Sequence, residues 1–367
     1  MATTIGLPSL SITFQAAAQQ VVTRSKRGYV GVFVRDEKEQ GVHVLTSAAR
    51  IPSGLGQANR DYIARAFTGS DRGGPSKVVA VVIATGTDDT TALEAGLKSI
   101  ESMTLDYIAP PADVTEDEKT ALETWVKARR KAYYTETLVE PNPSTPPDDM
   151  GIIAFTETDG QLAAGETTYT AGQYASRIAG ILAGIPMGMS ATYAPLPELT
   201  AVTPRSETEQ TQAVNEGKLI LIHDGVKAKI ARGVNSLTTV PEEGKADWSK
   251  IKVAEGMNLI TYYLRTTIQD TYVGKYPNTY DNKCILLTAV TEFLTYLEGQ
   301  GVLNPGESWA EIDVEAQEQW LAENGVDTSA MTEQQIREYQ TGSWVFLRCG
   351  GRLVDAMEDF RVAFCNL

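Results

Sequence analysis

The sequence predicts a layered α/β domain followed by an α+β domain, with an extended strand-forming arm at each terminus. Three observations lead to this prediction. From Tyr29 to about Thr200, short β-rich runs alternate with helical segments; after Pro204 long helices dominate; and both ends alternate apolar with other residues. We therefore expect an N-terminal arm at 1–20, the α/β domain at 21–203, the α+β domain at 204–355 and a C-terminal strand at 356–367.

The strands and helices of the first domain follow from local patterns. Capping boxes at Thr91 and Thr115, each with Glu three residues later, predict that helices begin there. The apolar run that starts at Ile178 is too short to span a bilayer and contains Pro186, so we expect a buried helix followed by a turn. The expected strands are YVGVFV at 29–34, VVAVVIA at 78–84, LDYIA at 105–109, ETLVE at 136–140 and GIIAFTE at 151–157.

The second domain is expected to combine a short strand pair with long helices. A helix is predicted around ETEQTQAVNEG, and two strands over KLILIHDG and VKAKIARG. Long helices are predicted through WSKIKVAEGMNLITYYLRTTIQDTYVG and KCILLTAVTEFLTYLEGQG. An acidic helical stretch over roughly 308–340 precedes two closing strands, WVFLRC and DFRVAFC.

Composition narrows the class of protein. The chain has 367 residues, of which 42% are hydrophobic and 22% charged, which is ordinary for a folded globular protein. Its net charge of −15 disfavours general binding to nucleic acid or to anionic membranes. Three cysteines without CxxC spacing and two histidines predict neither a metal site nor a disulfide framework, so no cofactor is expected. The first residues lack the pattern of a signal peptide, and we expect synthesis in a reducing cytoplasm.

Four segments contain residues that could form a chemical site. SGLGQAN at 53–59 contains G-x-G, yet the dinucleotide fingerprint needs a third glycine, so a turn and helix start compete with a phosphate loop. His223 and Asp224 are adjacent in a predicted strand and point to opposite faces, and His43 stands alone; both histidines are interpreted as structural. KARRK at 127–131 fits either a contact for an acidic partner or solvated cations near a helix C-terminus. No catalytic residue is predicted.

The two chain ends carry strand patterns that need a partner. Leu10, Ile12 and Phe14 alternate near the start. Phe360, Val362 and Phe364 alternate near the end, followed by Leu367. An uncovered strand invites edge pairing, and the partner strand lies either in this chain's own sheet or in another copy.

Several ordered segments resemble the contractile tail sheath proteins of bacteriophages and related phage-tail-like particles. These are RIAGILAGIPMGMSATYAPLPEL at 177–199, EGKLILIHDG with ARGVNSLTT at 231–239, YVGKYPNTYDNK at 272–283 and LVDAMEDFRVAF at 353–364. The resemblance extends from about residue 150 to the end. The residues that carry it are Gly180, Ala183, Gly184, Pro186, Ser190, Gly233, Val234, Asn235, Ser236, Leu237, Gly274, Asp355, Ala356, Met357 and Glu358.

The resemblance implies a structural protein rather than an enzyme. It implies hexameric rings stacked helically around a tail tube, terminal arms that join the small sheet of neighbouring subunits, and shortening of the sheath when a baseplate triggers it. The implied partners are further copies of this chain, the tail tube protein, and baseplate and tail terminator proteins, in a tail assembled in the bacterial cytoplasm. No direct contact with nucleic acid and no membrane insertion are expected.

Two alternatives stay open at this point. Lys218, Lys227, Lys229 and Arg232 lie around the second-domain strands and form either a contact for the tube or a solvated strand face. The layered first domain is also compatible with a hydrolase or nucleotide-binding enzyme that uses the loops after its strands.

Overall fold

The computed structural model describes residues 28–86, 90–240 and 246–365. These residues form two compact units, here called the body (residues 28–255 and 355–365) and the insert (residues 256–354). The predicted boundary at 203/204 does not coincide with this division. The predicted N-terminal arm, with Leu10, Ile12 and Phe14, lies outside the described residues, as does Leu367.

The body is built around a seven-stranded sheet of order β10-β6-β5-β4-β1-β3-β2. All neighbours are parallel except β2, which runs antiparallel to β3. The five strands predicted for the first domain are confirmed, while β2 was not predicted. The strands are β1 (Tyr29–Arg35), β2 (Gly41–Leu45), β3 (Lys77–Ile83), β4 (Tyr107–Ala109), β5 (Thr137–Pro141), β6 (Ile152–Phe155) and β10 (Lys218–Leu219).

Helices cover both faces of this sheet, which explains its continuous apolar strands. On one face α1 (Gln57–Phe67) and α4 (Ala171–Gly184) share a core with Val30 and Val32, and on the other α2 (Thr90–Ser99) and α3 (Glu116–Lys131) share a core with Phe33. Helices α1 and α4 approach closely at Gly180, where an added Cβ would lie 1.9 Å from the carbonyl oxygen of Ala66. The predicted layered α/β architecture is confirmed.

The predicted helix starts agree with the structure at one of the two sites. Thr115 accepts a hydrogen bond from the Glu118 amide, and the Glu118 side chain returns a bond to the Thr115 amide, which completes the capping box of α3. The prediction that Thr91 caps α2 is wrong by position, because the helix already includes Thr90. Thr90 and Thr91 are both helical, so Thr91 lies within the first turn of α2 and not at its cap.

Small strands before and after α4 also belong to the body. Hairpin β7 (Leu162–Ala164) and β8 (Thr167–Tyr169) precedes α4, and helix α5 (Glu207–Asn215) precedes β10. A three-stranded sheet contains β9 (Pro195–Leu196), β11 (Leu221–His223) and β12 (Ala228–Ile230) in the order β11-β12-β9. Because β10 extends the main sheet and Leu221 and Ile230 are buried in the core that contains α4, residues after 204 continue the body.

The insert is mainly helical. Helix α6 (Ile251–Thr267) begins in the body and continues into the insert, where a π-helical turn (Ile268–Tyr272) follows it. A two-stranded antiparallel sheet pairs β13 with β14, so the expected acidic helical stretch is interrupted by a strand. The other elements are α7 (Tyr280–Gly299), β13 (Trp309–Ile312), α8 (Val314–Glu323), α9 (Glu333–Glu338) and β14 (Leu347–Gly350).

The predicted last strand, DFRVAFC, is not formed within this single chain. Residues 359–365 lie in none of the strands that the structure describes, whereas the preceding WVFLRC segment contributes to β14. Across the described ranges, none of the helices has the length and apolar character needed to cross a bilayer.

Candidate assembly site at the C-terminal segment

Residues that are far apart in sequence meet where the C-terminal segment joins the body. Ser190 lies in the turn after α4, Gly233 follows β12, and Asp355 and Glu358 begin the final segment. These residues come from three of the four segments that carry the family resemblance, and the fold brings them to one site, called here the C-terminal clamp. Its members are Ser190, Thr192, Arg232, Lys250, Asp355 and Glu358.

Glu358 is the centre of the clamp. One carboxylate oxygen accepts hydrogen bonds from Ser190 Oγ at 2.5 Å and from Thr192 Oγ1 at 2.6 Å. The other carboxylate oxygen lies 3.1 Å from Arg232 Nε, and only 6% of the Glu358 side chain is exposed. A buried carboxylate needs this number of donors, because an unpaired one would be strongly destabilising.

Two further acidic groups secure the same segment. Asp355 forms an ion pair with Lys250, and its other oxygen accepts the Ala356 amide at 2.7 Å. Asp359 accepts a hydrogen bond from Arg232 Nη2 at 2.5 Å. This bond lowers the pKa of Asp359 and, together with Glu358, raises that of Arg232. The segment is therefore held by charge-assisted bonds from residue 355 to residue 359.

The turn that carries the two hydroxyl donors is itself fixed from its other side. Arg72 donates to the carbonyl oxygens of Ser190 and Thr192, the latter at 2.9 Å. The Gly233 amide donates to Thr192 Oγ1 at 2.9 Å, and a Cβ at Gly233 would lie 3.1 Å from the Cβ of Ala191. Backbone and side-chain bonds that do not involve Glu358 thus hold the turn that carries the two hydroxyl groups.

Beyond the clamp the chain presents its apolar side chains to solvent. Phe360 is 74% exposed, Val362 84% and Phe364 89%. Met357, which lies between the two clamp carboxylates in sequence, is 87% exposed. Residues 360–365, called here the terminal segment, thus leave apolar area uncovered at alternate positions, as a strand without a partner would.

Other residues of the family resemblance support the body. Gly184 lets the end of α4 approach the backbone of Gly74, where a Cβ would be 2.6 Å away. The helix ends there: the next residue is extended, and Ala183 and Pro186 lie on either side of this stop. In the insert, Gly274 lies in the turn after the π-helical segment with a φ of +73°.

The signature stretch after Gly233 ties loops together. Asn235 donates from its side-chain amide to the Trp248 carbonyl at 2.8 Å, and Ser236 Oγ donates to the Asp149 carbonyl at 2.9 Å. Both residues are fully or almost fully buried, and so is Val234, whereas Leu237 is half-buried. These contacts are structural.

The G-x-G segment forms a turn and a helix start, as one of its two interpretations predicted. Helix α1 begins at Gln57, with Gly56 as its N-cap. Asp36 accepts the Gly56 amide at 2.8 Å and the Asn59 side chain at 2.9 Å. The backbone bond from Gly56 lowers the pKa of Asp36. A carboxylate therefore occupies the position at which a phosphate would approach the helix.

The basic run at 127–131 does not behave as a uniformly solvated group, so that interpretation is wrong for Arg129. This side chain is buried, pairs with Glu136 at 2.5 Å and stacks 3.4 Å from the Tyr134 ring centre. Burial lowers the pKa of the neighbouring Arg130. Lys127 bonds to Glu123 at 2.8 Å along the helix. Folding brings an acid from beyond the helix to Arg129, which helix periodicity alone does not show.

Both histidines make local hydrogen bonds. His43 Nε2 lies 2.6 Å from the carbonyl oxygen of Glu39, and His223 Nδ1 accepts the Gly225 amide at 3.1 Å. Asp224 accepts two turn amides and pairs with Lys229. The Lys229 bond, followed by the two amide bonds, strongly lowers the pKa of Asp224.

Three of the four cations considered for a tube contact already have acidic partners. Lys218 lies 2.6 Å from Glu216, and Lys229 lies 2.9 Å from Asp224. Arg232 belongs to the clamp. Lys227 is exposed and has no ion pair among the described residues. Sequence reasoning missed the clamp role of Arg232, together with Arg72, Thr192 and Lys250, because no spacing pattern links residues so far apart.

A folded body that holds an alternating apolar segment in solvent is typical of a structural protein that assembles with other chains. Comparison with known proteins identifies the family. The family model for the phage tail sheath C-terminal domain matches residues 243–364. The chain is 35% identical over 359 residues to a tail sheath protein of Clostridium phage phiCD119, covering 97% of this chain and 98% of that protein. It therefore belongs to the phage tail sheath protein family.

Solved structures share the fold. The helical sheath of the anti-feeding prophage in its contracted state matches with a TM-score of 0.67 and 14% identity, covering 100% of this chain and 99% of that chain. The crystal structure of a sheath tail protein from Desulfitobacterium hafniense matches with a TM-score of 0.62 and 13% identity, covering 83% and 94%. These likenesses show the fold, and the sequence match shows that the chain is a phage tail sheath protein.

Proposed function

We propose that this chain is the repeating subunit of a contractile sheath that forms stacked hexameric rings around a tail tube. Shortening of the sheath drives the tube through a cell envelope. The observation that carries the proposal is the terminal segment, whose Phe360, Val362 and Phe364 side chains are exposed at alternate positions outside the described strands. Family membership supports this interpretation, because it makes assembly with identical copies the natural use of such a segment.

The proposed acceptor is the β13–β14 sheet of a neighbouring copy. Within the described residues this sheet has only two strands, so each strand has one open edge. A two-stranded sheet is marginally stable alone, and an added strand would bond to the backbone groups at the open edge. The same mode is proposed for the N-terminal arm at 1–20, which gives each sheet two donors.

The two faces of the acceptor sheet determine how the terminal segment would lie. Glu311 pairs with Arg348 at 2.7 Å on one face, which also carries the exposed Trp309. The other face carries Ile312, which is buried, and Leu347 opposite it. An added strand would therefore place Phe360, Val362 and Phe364 on the apolar face, since alternate side chains share one face.

The energies are of the right size for a reversible junction. Burying three large apolar side chains contributes about 5 to 9 kcal/mol at roughly 1.5 to 3 kcal/mol each. Association costs about 4 to 15 kcal/mol in lost freedom and ordering. One arm alone is thus marginal, and two arms per subunit would make the junction stable.

The work of contraction is proposed to come from a difference in packing energy between two arrangements of folded subunits. In this scheme the arms keep neighbours joined while the bodies move. Baseplate and tail terminator proteins would bound the sheath at its ends. The tube is a further proposed partner, and Lys227 is the predicted tube-contact cation that the described part of the chain leaves without an ion pair.

The experiment exploits the two sides of the terminal segment. A variant with Phe360, Val362 and Phe364 changed to serine should remain a folded monomer and fail to form sheaths visible by negative-stain electron microscopy. The matched control changes Arg361, Ala363 and Cys365 to serine, which keeps the apolar side and should assemble. Deletion of residues 1–15 should also prevent assembly.

A peptide with the sequence of residues 359–365 provides an independent measurement. Added in excess, it should slow polymerisation of the intact protein by occupying the acceptor edge, and a peptide with the three apolar residues replaced by serine should not. Assembly of the apolar-to-serine variant at the yield of the intact protein would refute the proposal.

A further inference from the structure

We propose that Glu358 is a positioning residue that fixes the point on the body from which the C-terminal arm extends. This inference rests on the proposed function for its consequence in assembly. The chain leaves the insert at Val354, and the very next residue, Asp355, is already bonded to the body. The chain is thus bonded to the body at the first residue after it leaves the insert.

The clamp is a buried hydrogen-bonded cluster and not only a surface ion pair. The Glu358 side chain is almost fully buried and is bonded to Ser190, Thr192 and Arg232. The side chain of Asp359, in contrast, is 80% exposed, so its pair with Arg232 adds little by itself. Glu358 is therefore the last strong attachment before the terminal segment.

The donors are also held in place by bonds that do not involve Glu358. Arg72 fixes the carbonyl groups of the turn that carries Ser190 and Thr192. The apolar side chains of the terminal segment, in contrast, remain in solvent. The C-terminal segment thus has an anchored part at residues 355–359 and a free, strand-forming part at residues 360–365.

The position of the anchor limits where an acceptor strand can be. Phe364 is six residues after Glu358, so its Cα can lie at most about 20 Å from the anchor when the chain is extended. If Asp355 were the last attachment, nine residues would separate it from Phe364 and the limit would be about 30 Å. The clamp shortens the reach and fixes the direction, which favours one acceptor edge and one register.

The second consequence concerns which unit carries the load. With the clamp formed, a strand donated to a neighbour connects that neighbour to the donor's body. Without the Glu358 bonds, the same strand would be held to the body only by the ion pairs of Asp355 and Asp359, whose carboxylates are more exposed. Contraction moves subunits while they stay joined, so the proposed role of Glu358 is to direct this tension into the larger core.

The local part of the inference is tested on the monomer. Spin labels on Met357→Cys, which is exposed beside Glu358, and on Thr124→Cys, which is exposed on α3, report the distance from the root of the arm to the body. Glu358→Ala should broaden the distance distribution about twofold, since the free chain then starts near Asp355. The background replaces the native cysteines with alanine: Cys284, Cys349 and Cys365.

Conservative and control variants separate positioning from general destabilisation. Glu358→Gln retains an oxygen that accepts from both hydroxyl groups, so it should restore a narrow distribution. Glu37→Ala removes an exposed carboxylate from the same unit and should change nothing. An unchanged distribution in Glu358→Ala would overturn the clamp inference, whatever the state of the proposed function.

The assembly part uses the same variants. Glu358→Ala should raise the critical concentration for polymerisation at least about twofold, as expected when the free linker lengthens from six to nine residues. Inserting three glycine or serine residues after Asp359, with the clamp intact, should have a similar effect. If both changes leave assembly normal while deletion of residues 360–365 abolishes it, the positioning role is refuted and the proposed function stands. If that deletion leaves assembly normal, the proposed function is refuted. The spin-label distances in Glu358→Ala then still test whether Glu358 positions the arm.

Discussion

Replacing Glu140 with glutamine should stabilise the body at neutral pH, by an amount that grows as pH rises. Glu140 lies in β5 and is 2% exposed. Its Oε2 atom is buried without a hydrogen-bond partner. Burial, followed by the nearby charge of Glu123, raises the pKa of Glu140 to about 8 from an ordinary 4.5.

Neighbouring cations do not compensate for this burial. Lys119 donates to Glu116 at 2.6 Å and to the Asn142 carbonyl at 2.9 Å, and Lys127 donates to the Pro147 carbonyl at 3.0 Å. These lysines hold the loop after β5 against α3. Despite these two cations, burial keeps the pKa of Glu140 raised to about 8.

The sign of the pH effect follows from proton binding. Between pH 4.5 and pH 8 the unfolded chain has lost the Glu140 proton and the folded chain retains it, so folding becomes less favourable as pH rises. At about 1.4 kcal/mol per pH unit, the opposing free energy is below about 1 kcal/mol at pH 5 and about 3 kcal/mol at pH 7. Above pH 8 it stays constant.

The measurement compares the intact protein with Glu140→Gln at the two pH values. Urea-dependent hydrogen exchange of the β5 amides, read by mass spectrometry, gives the opening free energy of the body alone. The gain from the substitution should be larger at pH 7 than at pH 5 by about 2 to 3 kcal/mol, because packing effects of glutamine cancel in this difference. The control Glu94→Gln changes an exposed carboxylate on α2 and should show no such difference. An equal gain at both pH values would refute the reasoning.

Three further changes test the packing of the fold by thermal or urea unfolding. Gly180→Ala should destabilise the body by at least about 2 kcal/mol, because the added Cβ would collide with the backbone of α1. The control Gly299→Ala adds a Cβ in open space at the end of α7, and it should be neutral or stabilising by up to about 1 kcal/mol. Equal effects of the two would contradict the close approach. Thr115→Ala removes the cap of α3 and should cost about 1 kcal/mol, and no loss would show that the cap is dispensable. Arg129→Met leaves Glu136 buried without its ion pair and should cost about 3 to 5 kcal/mol at pH 7, which a loss below about 1 kcal/mol would contradict.

Much of the architecture could be predicted because it depends on local patterns. The apolar runs at Val30 and Val78 are long enough and β-branched enough to identify buried strands, and the box at Thr115 marks a helix start. Strand β2 was missed because GVHVL is short and its exposed edge position leaves only a weak alternation. The boundary at 204 was placed by a change in composition, while the fold continues the same core through Leu221.

The sequence by itself determined the layered α/β class, the family resemblance and the alternation of Phe360, Val362 and Phe364, since each is written in consecutive residues. The tertiary structure alone decided that Glu358 meets Ser190 and Arg232, because these bonds join positions more than a hundred residues apart, which no local periodicity relates. Chain folding sets such distances, and they in turn decide which charges are paired and which apolar side chains remain in solvent.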